Sequence, residues 1–304
     1  MSFRIDPKIY LIFGSLSWVL FVFFQFAISY FNQSLDSITN ITLYLFFFGS
    51  FSFSFFRYYD LTISKIGRED IYITFFRLFI FSIKCLLPVA LSYIILLFGF
   101  FDNSTFNIFI YSVLYNLTLG SSTIFCIICF LISKRLISFE SPVTMQRLML
   151  TLNYGFVLMY IFDLAFNFFP SPIYQYIFLG LYILVGVLFF NQKWVAYIPF
   201  NQKWKTILIS VFIILGNILV FQFFNLNNFD SSSYYNVKSS LFLILFFSFN
   251  FTYFSISTLI NVFSLPTTPV FDNIQNERII ARKVQENLIP NSLPNSKKLK
   301  IFSY

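Results

Sequence analysis

The sequence predicts an all-α, polytopic membrane protein of about eight transmembrane helices, followed by a C-terminal cytoplasmic amphipathic, coiled-coil-like helix. Three observations predict it. Of 304 residues, 58% are hydrophobic and only 11% are charged, against roughly a quarter charged in a soluble domain. That is too little charge to cover a water-exposed surface. The apolar residues also gather into runs near the ~20 residues that cross a hydrocarbon core. Finally, basic residues alternate between successive loops, as expected when cytoplasmic loops collect Lys and Arg.

Taken in order, the runs are Tyr10–Phe31, Ile38–Phe56, Leu78–Phe101, Phe106–Ser133, Leu148–Phe169, Ile173–Phe190, Thr206–Phe224 and Ser239–Phe263. The first lacks a small-residue cleavage site after its apolar core and is expected to be a retained anchor. The second, with "FFFGSFSFSFF", is the most interrupted by Gly and Ser. Residues 1–265 form the expected membrane domain, and 266–304 a separate cytoplasmic segment.

Charge placement tests the number of spans independently. Arg4 and Lys8 precede the first span. The second, fourth and sixth loops carry Arg57, Lys65, Arg68 and Arg77, then Lys134, Arg135 and Arg147, then Lys193, Lys203 and Lys205. The tail adds Arg278, Arg282, Lys283, Lys297, Lys298 and Lys300, so 18 of 20 basic residues fall on one side. Only Lys238 lies in an odd loop, and Lys84 lies within a span. Moving or deleting one span would spoil this alternation. Both termini are expected in the cytoplasm, and the +8 net charge follows from topology. The partner is a lipid bilayer, and no nucleic-acid partner is expected.

Several chemistries are excluded by residue type. The chain has no His, which removes His-based triads, His metal sites and haem ligation of the usual kind. Cys126 and Cys129 form a CxxC inside the apolar "IFCIICFLI", whereas a redox or zinc CxxC needs an electropositive setting or further ligands. With Cys85 they read as small apolar residues. Nine Gly include no phosphate-binding loop. No catalytic, metal or cofactor-binding residue is expected in this chain. The abundance of Phe, Asn, Ile and Tyr fits an AT-rich coding sequence, so little chemistry attaches to individual Phe residues.

An ionisable side chain costs about 2.5–3.5 kcal/mol at the centre of an inserted helix, which singles out two residues as an intramembrane polar site. Lys84 lies about two turns inside the third span, where its stem can snorkel to the headgroups. Asp163, in "YIFDLAFNFF" beside Asn167, is too short to do so. It either faces a polar cavity or caps local hydrogen bonds near the interface. Carriers usually show broken helices, paired charges and repeats of spans. Here Pro88 breaks only the third span, and "NQKW" repeats within one loop, at Asn191–Trp194 and Asn201–Trp204.

After the last span comes "SLPTTPVFDNIQNERIIARKVQENLIPNSLPNSKKLKIFSY". Pro266 and Pro269 end the span. Ile274, Ala281, Val284 and Leu288 then form an a/d stripe, with Glu277 at the remaining position. The helix is expected to stop before Pro290, "NSLPN" to turn, and "KKLKIFSY" to begin a strand. Such a segment is either one half of a short coiled coil or an amphipathic tail on anionic lipid.

Ala281-Arg282-x-Val284-Gln285-x-x-Leu288-Ile289-Pro290-x-x-Leu293-Pro294 resembles the linker entering bacterial PPM-type serine/threonine phosphatases of the SpoIIE/RsbU kind, with Ile301–Tyr304 where their following strand ends in Tyr. The match covers about Ala281–Tyr304. The resemblance implies that Ala281, Val284, Gln285 and Leu288 form a dimeric transmitting face, and that Leu293 and Pro294 dock against a catalytic domain. In the family a "V-G-G-D-Y-Y-D"-type motif follows, whose Asp residues hold the Mn or Mg ions that activate water. This chain ends at Tyr304, before any of them. The expectation is therefore the sensory or regulatory membrane region of such a phosphatase, in a bacterial inner membrane, as a fragment or a truncated relative. A phosphoprotein substrate is expected only with a catalytic domain. The alternative is a polytopic transporter or channel subunit with an incidental basic tail. An organelle-encoded respiratory subunit suits the composition but not the lack of His.

Overall fold

A computed structural model describes residues 6–30, 42–64, 71–97, 105–139, 141–166, 172–226 and 241–265, with 277, 280, 281, 283 and 284 in the tail. Of these described residues 95% are helical and none is in a strand. Helix α1 (Pro7–Tyr30) begins with Pro at its first position and Asp6 as cap, whose Oδ1 accepts the Lys8 N–H at 3.1 Å. Pro loses nothing there, because the first amides of a helix have no partner within it. Helix α2 (Gly49–Ser64) continues from a π-helical turn, Tyr44–Phe48. Then come α3 (Ile71–Leu97), α4 (Thr105–Ser138), α5 (Val143–Phe166) and α6 (Pro172–Phe189). A 3-10 turn, Lys193–Tyr197, leads to α7 (Phe200–Leu226) and α8 (Leu241–Ser264).

Six of these helices contain stretches long and apolar enough to cross a membrane: Pro7–Ala27, Phe75–Ile95, Ser112–Ser138, Gln175–Tyr197, Gln202–Phe224 and Phe242–Ser264. The chain has the architecture of an all-α, multi-pass membrane protein. The other two expected spans, Ile38–Phe56 and Leu148–Phe169, fall on α2 with its π turn and on α5. Both are more polar: α2 carries Arg57 and Asp60, and α5 carries Arg147, Asn153 and Asp163.

α1 and α2 form an antiparallel pair. Trp18 meets Phe51 at 4.8 Å between ring centroids, and Phe21 meets Tyr44 at 5.4 Å. α4 is the central helix, buried without a break from Phe125 to Ser133. This run contains Cys126 and Cys129, both free thiols sealed in the core. Phe130 of α4 touches Phe56 of α2, Phe156 of α5, and Phe246 and Phe249 of α8. α7 packs tightly on α3 and α4 at Gly216, where a Cβ would stand 2.5 Å from Leu86 Cδ1 and 3.0 Å from Phe125 Cζ. The outer faces expose Ile12, Leu16, Val19, Ile183, Leu208 and Leu215. Such a belt would be untenable in water and is ordinary against lipid.

One end of the bundle gathers the ends of most helices. Lys134 Nζ of α4 lies 3.2 Å from Asp60 Oδ1 of α2, with both side chains about a third exposed. An ion pair so placed is worth only about 0–1 kcal/mol. The same end holds Ile137, the turn Asn191–Tyr197, Lys203 and Ser264, and we call it the basic end.

Candidate functional site

The two "NQKW" copies adopt different structures at the basic end. The first lies on the turn after α6, and the second on the first turn of α7. The turn buries Asn191, Gln192 and Trp194 and leaves Lys193 exposed, whereas the helix buries Lys203 and exposes Trp204. A repeat in sequence is therefore not a repeat in space. Each copy meets a different local backbone, so different members of it face inward.

The buried members form a hydrogen-bonded cluster. Asn191 Nδ2 donates to the Ile137 carbonyl at 2.8 Å, satisfying an acceptor near the C-terminal end of α4. Gln192 Oε1 accepts from Trp194 Nε1 at 2.8 Å and from Ser257 Oγ of α8 at 2.8 Å. Its Nε2 donates to the Phe189 carbonyl at 3.2 Å, near the end of α6. Trp194, 0% exposed, also packs on Phe75 of α3 at 6.0 Å. Lys203, 2% exposed, donates from Nζ to Ser264 Oγ at 2.8 Å, and Ser264 in turn donates to the Asn261 carbonyl at 2.9 Å. One turn of chain thereby joins α3, α4, α6 and α8, and Lys203 ties α7 to the last residue of α8.

A groove of about 490 Å³ opens beside this cluster, between Met145 of α5, Phe190–Ala196 and the end of α8 at Ile260 and Ser264. Its walls are mixed, with Met145, Val195 and Ile260 apolar and Asn191, Gln192, Lys193 and Ser264 polar. Such a surface can seat a headgroup or a small polar solute.

Lys84 is exposed on the outer face of α3, its Nζ 5.8 Å from the Phe81 ring centroid. Asp163, 2% exposed, faces inward on α5. It interacts electrostatically with Tyr160, whose hydroxyl donates to Ser52 Oγ of α2 at 2.9 Å. Lys84 and Asp163 are therefore not brought together. Asp163→Asn keeps the volume and removes the charge. If Asp163 lines a signal-binding cavity, the change alters the output of a full-length protein while membrane abundance, read by immunoblot, stays level; equal loss of both would assign Asp163 to folding.

In the tail, Ala281 and Val284 are helical and exposed, as are Glu277, Ile280 and Lys283. Gln285, Leu288, Pro290, Leu293 and Pro294 lie outside the described residues. Among the described residues no group of three or more Cys, Asp or Glu could hold a metal ion.

Sequence reasoning passed over the buried cluster. Lys203 counted as one more loop lysine, and Gln192 only as part of a local repeat. A signal was nonetheless present in "NFTYFSISTLINVFS", where Asn250, Ser257, Asn261 and Ser264 recur at intervals of three, four and seven. That spacing puts them on one face of α8. No family model, no curated protein and no solved structure matches this chain.

Proposed function

We propose that this chain is the membrane-embedded sensory and regulatory region of a SpoIIE-type serine/threonine phosphatase. It has eight spans and both termini in the cytoplasm of a bacterial inner membrane, and signals through the tail helix as a homodimer. The observation that carries this is the ordered motif from Ala281 to Pro294. The basic end adds support: Ser257 and Ser264 of the last span are bonded to the turn and to Lys203, directly before the tail. A rearrangement of that cluster would move the root of the linker. Ile280 and Val284, 61% and 49% exposed on a helical tail, stand one turn apart and offer an apolar face for a second copy. The metal, Mn or Mg, and the phosphoprotein substrate belong to a catalytic domain that such a linker precedes.

Topology is tested by reporter fusions after Asn103 and after Pro290, which are expected in opposite compartments. Finding both in one compartment would contradict the eight-span arrangement.

Signalling is tested by fusing an intact PPM-type domain after Tyr304. Phosphatase activity on a phosphoserine peptide is expected to depend on the linker. Two residues inserted between Gln275 and Asn276 rotate the helix face by about 200° and should shift the level of activity. Replacing Glu277 and Ala281 with Leu should hold it at one level, since a polar core position weakens a coiled coil. Activity indifferent to both changes would leave the tail a passive tether.

The second function, a transporter or channel subunit, is favoured by one observation: the packed pair α7 and α8 buries polar residues on both helices, Thr206, Ser210 and Asn217 on one and Asn250, Ser257 and Asn261 on the other.

A further inference from the structure

The Lys203–Ser264 bond sets the register of two antiparallel helices that pack along their length. Stepping equally along both, Thr206 comes level with Asn261, Ser210 with Ser257, Ile213 with Phe254, and Asn217 with Asn250. All of these side chains are buried. A seam of buried side chains, polar at every level but Ile213–Phe254, therefore runs inward from the basic end for about 21 Å, at 1.5 Å per residue, through a hydrocarbon core about 30 Å thick.

The seam is not closed by its own hydrogen bonds. Polar side chains that only glue membrane helices together bond across the interface. Here Thr206 Oγ1, Asn217 Nδ2 and Asn261 Nδ2 each donate back to a carbonyl of their own helix. The amide oxygens of Asn217 and Asn261 are left without a partner, as are Ser210 Oγ, Tyr253 OH and both amide atoms of Asn250. Asn250 is 0% exposed. Tyr253 OH lies near Trp194 and Ser257 without a well-formed bond to either, since Gln192 already takes both donors. Among the described residues, these make six of the ten buried side-chain polar atoms that lack a protein partner. Leaving six such atoms dry would offset a large share of a protein's net stability.

We propose that the seam is a hydrated half-channel. It opens at the basic end beside the groove, where Ser264 belongs to both, and ends at the Asn217–Asn250 level. Beyond that level the buried residues of the two helices are apolar: Val220, Phe223 and Phe224 on α7, Leu245 and Phe246 on α8. A buried water needs two to four polar partners; Asn217 and Asn250 offer unpartnered amide atoms at the inner level, and Tyr253 OH offers one nearer the mouth, beside Ser257. The lining is uncharged apart from Lys203 at the mouth, so the half-channel takes water and small neutral hydrogen-bonding solutes. It stands independently of any activity at the tail.

Hydroxyl-radical footprinting of the whole chain in lipid nanodiscs tests this, because radicals made from bound water modify the side chains beside it. Tyr253 is compared with Tyr115, equally buried but packed on Phe224 in the apolar region at 6.0 Å. Tyr253 is expected to be modified about tenfold faster, as befits a side chain bordering bound water. Equal slow rates would mean a dry seam and overturn the proposal. Asn261→Leu, near the mouth, is expected to bring Tyr253 down to the Tyr115 rate. An unchanged Tyr253 rate in that variant would overturn entry from the basic end.

Discussion

Gln192→Leu is expected to cost about 2–6 kcal/mol of stability, at about 1–3 kcal/mol for each buried polar group left without a partner. The side chain accepts from both Trp194 Nε1 and Ser257 Oγ, and both residues are 0% exposed. Leucine fills nearly the same space, so the loss comes from polarity rather than shape. Ser257→Ala is the informative control. It removes one donor yet leaves Gln192 Oε1 bonded to Trp194, so its cost should stay near the ordinary ~0.5–1.5 kcal/mol of a single hydrogen bond. Thermal or denaturant unfolding in detergent, followed by tryptophan fluorescence, compares the two. If Gln192→Leu were no worse than Ser257→Ala, the cluster would not be holding the basic end together.

Phe130→Ala should be nearly as damaging. In water-soluble proteins such a truncation costs about 3–5 kcal/mol, part of which is transfer of the ring out of water. Between membrane helices that part is small, because lipid tails are as apolar as the core. What remains is the cavity and the lost ring contacts. Phe130 meets Phe56, Phe156, Phe246 and Phe249 at centroid separations of 6.4, 5.2, 5.4 and 5.8 Å. At about 0.5–1.5 kcal/mol for each of the four aromatic pairs the contacts amount to about 2–6 kcal/mol, and the water-soluble figure less its transfer part holds the expected loss to about 2–4 kcal/mol. Leu208→Ala, at a site 68% exposed on the outer face of α7, should change little, since lipid refills the space. Similar losses for the two would mean that helix packing contributes no more than lipid contact does.

Much of the architecture was legible because bilayer insertion is decided by local composition. A run of some twenty apolar residues is helical in lipid wherever it lands, since only helices satisfy their own backbone without neighbours. α1, α3, α4, α6, α7 and α8 follow directly from that rule. α2 and α5 are less determined by composition, because Arg57, Asp60, Arg147 and Asp163 make these helices depend on the neighbours they pack against. The apolar reading of Cys126 and Cys129 needed only their own neighbourhood, and the structure buries both in α4. Lys84 and Asp163 were found because a charge among apolar residues stands out in one dimension.

The buried cluster and the seam were less visible because uncharged polar residues carry little penalty in a hydropathy pattern. Asn217, Asn250, Ser257 and Asn261 look like noise within apolar runs. Their meaning lies in which face they occupy and what lies opposite. Local composition was enough to make this chain a multi-pass bundle of apolar helices, because insertion depends on each segment's own transfer energy. Only the tertiary structure decided that Lys203 is buried against Ser264, that Gln192 joins Trp194 to Ser257, and that two polar faces meet between α7 and α8. Those outcomes depend on helix rotation and register, which arise from the packing of whole helices against one another and leave no mark on any single segment.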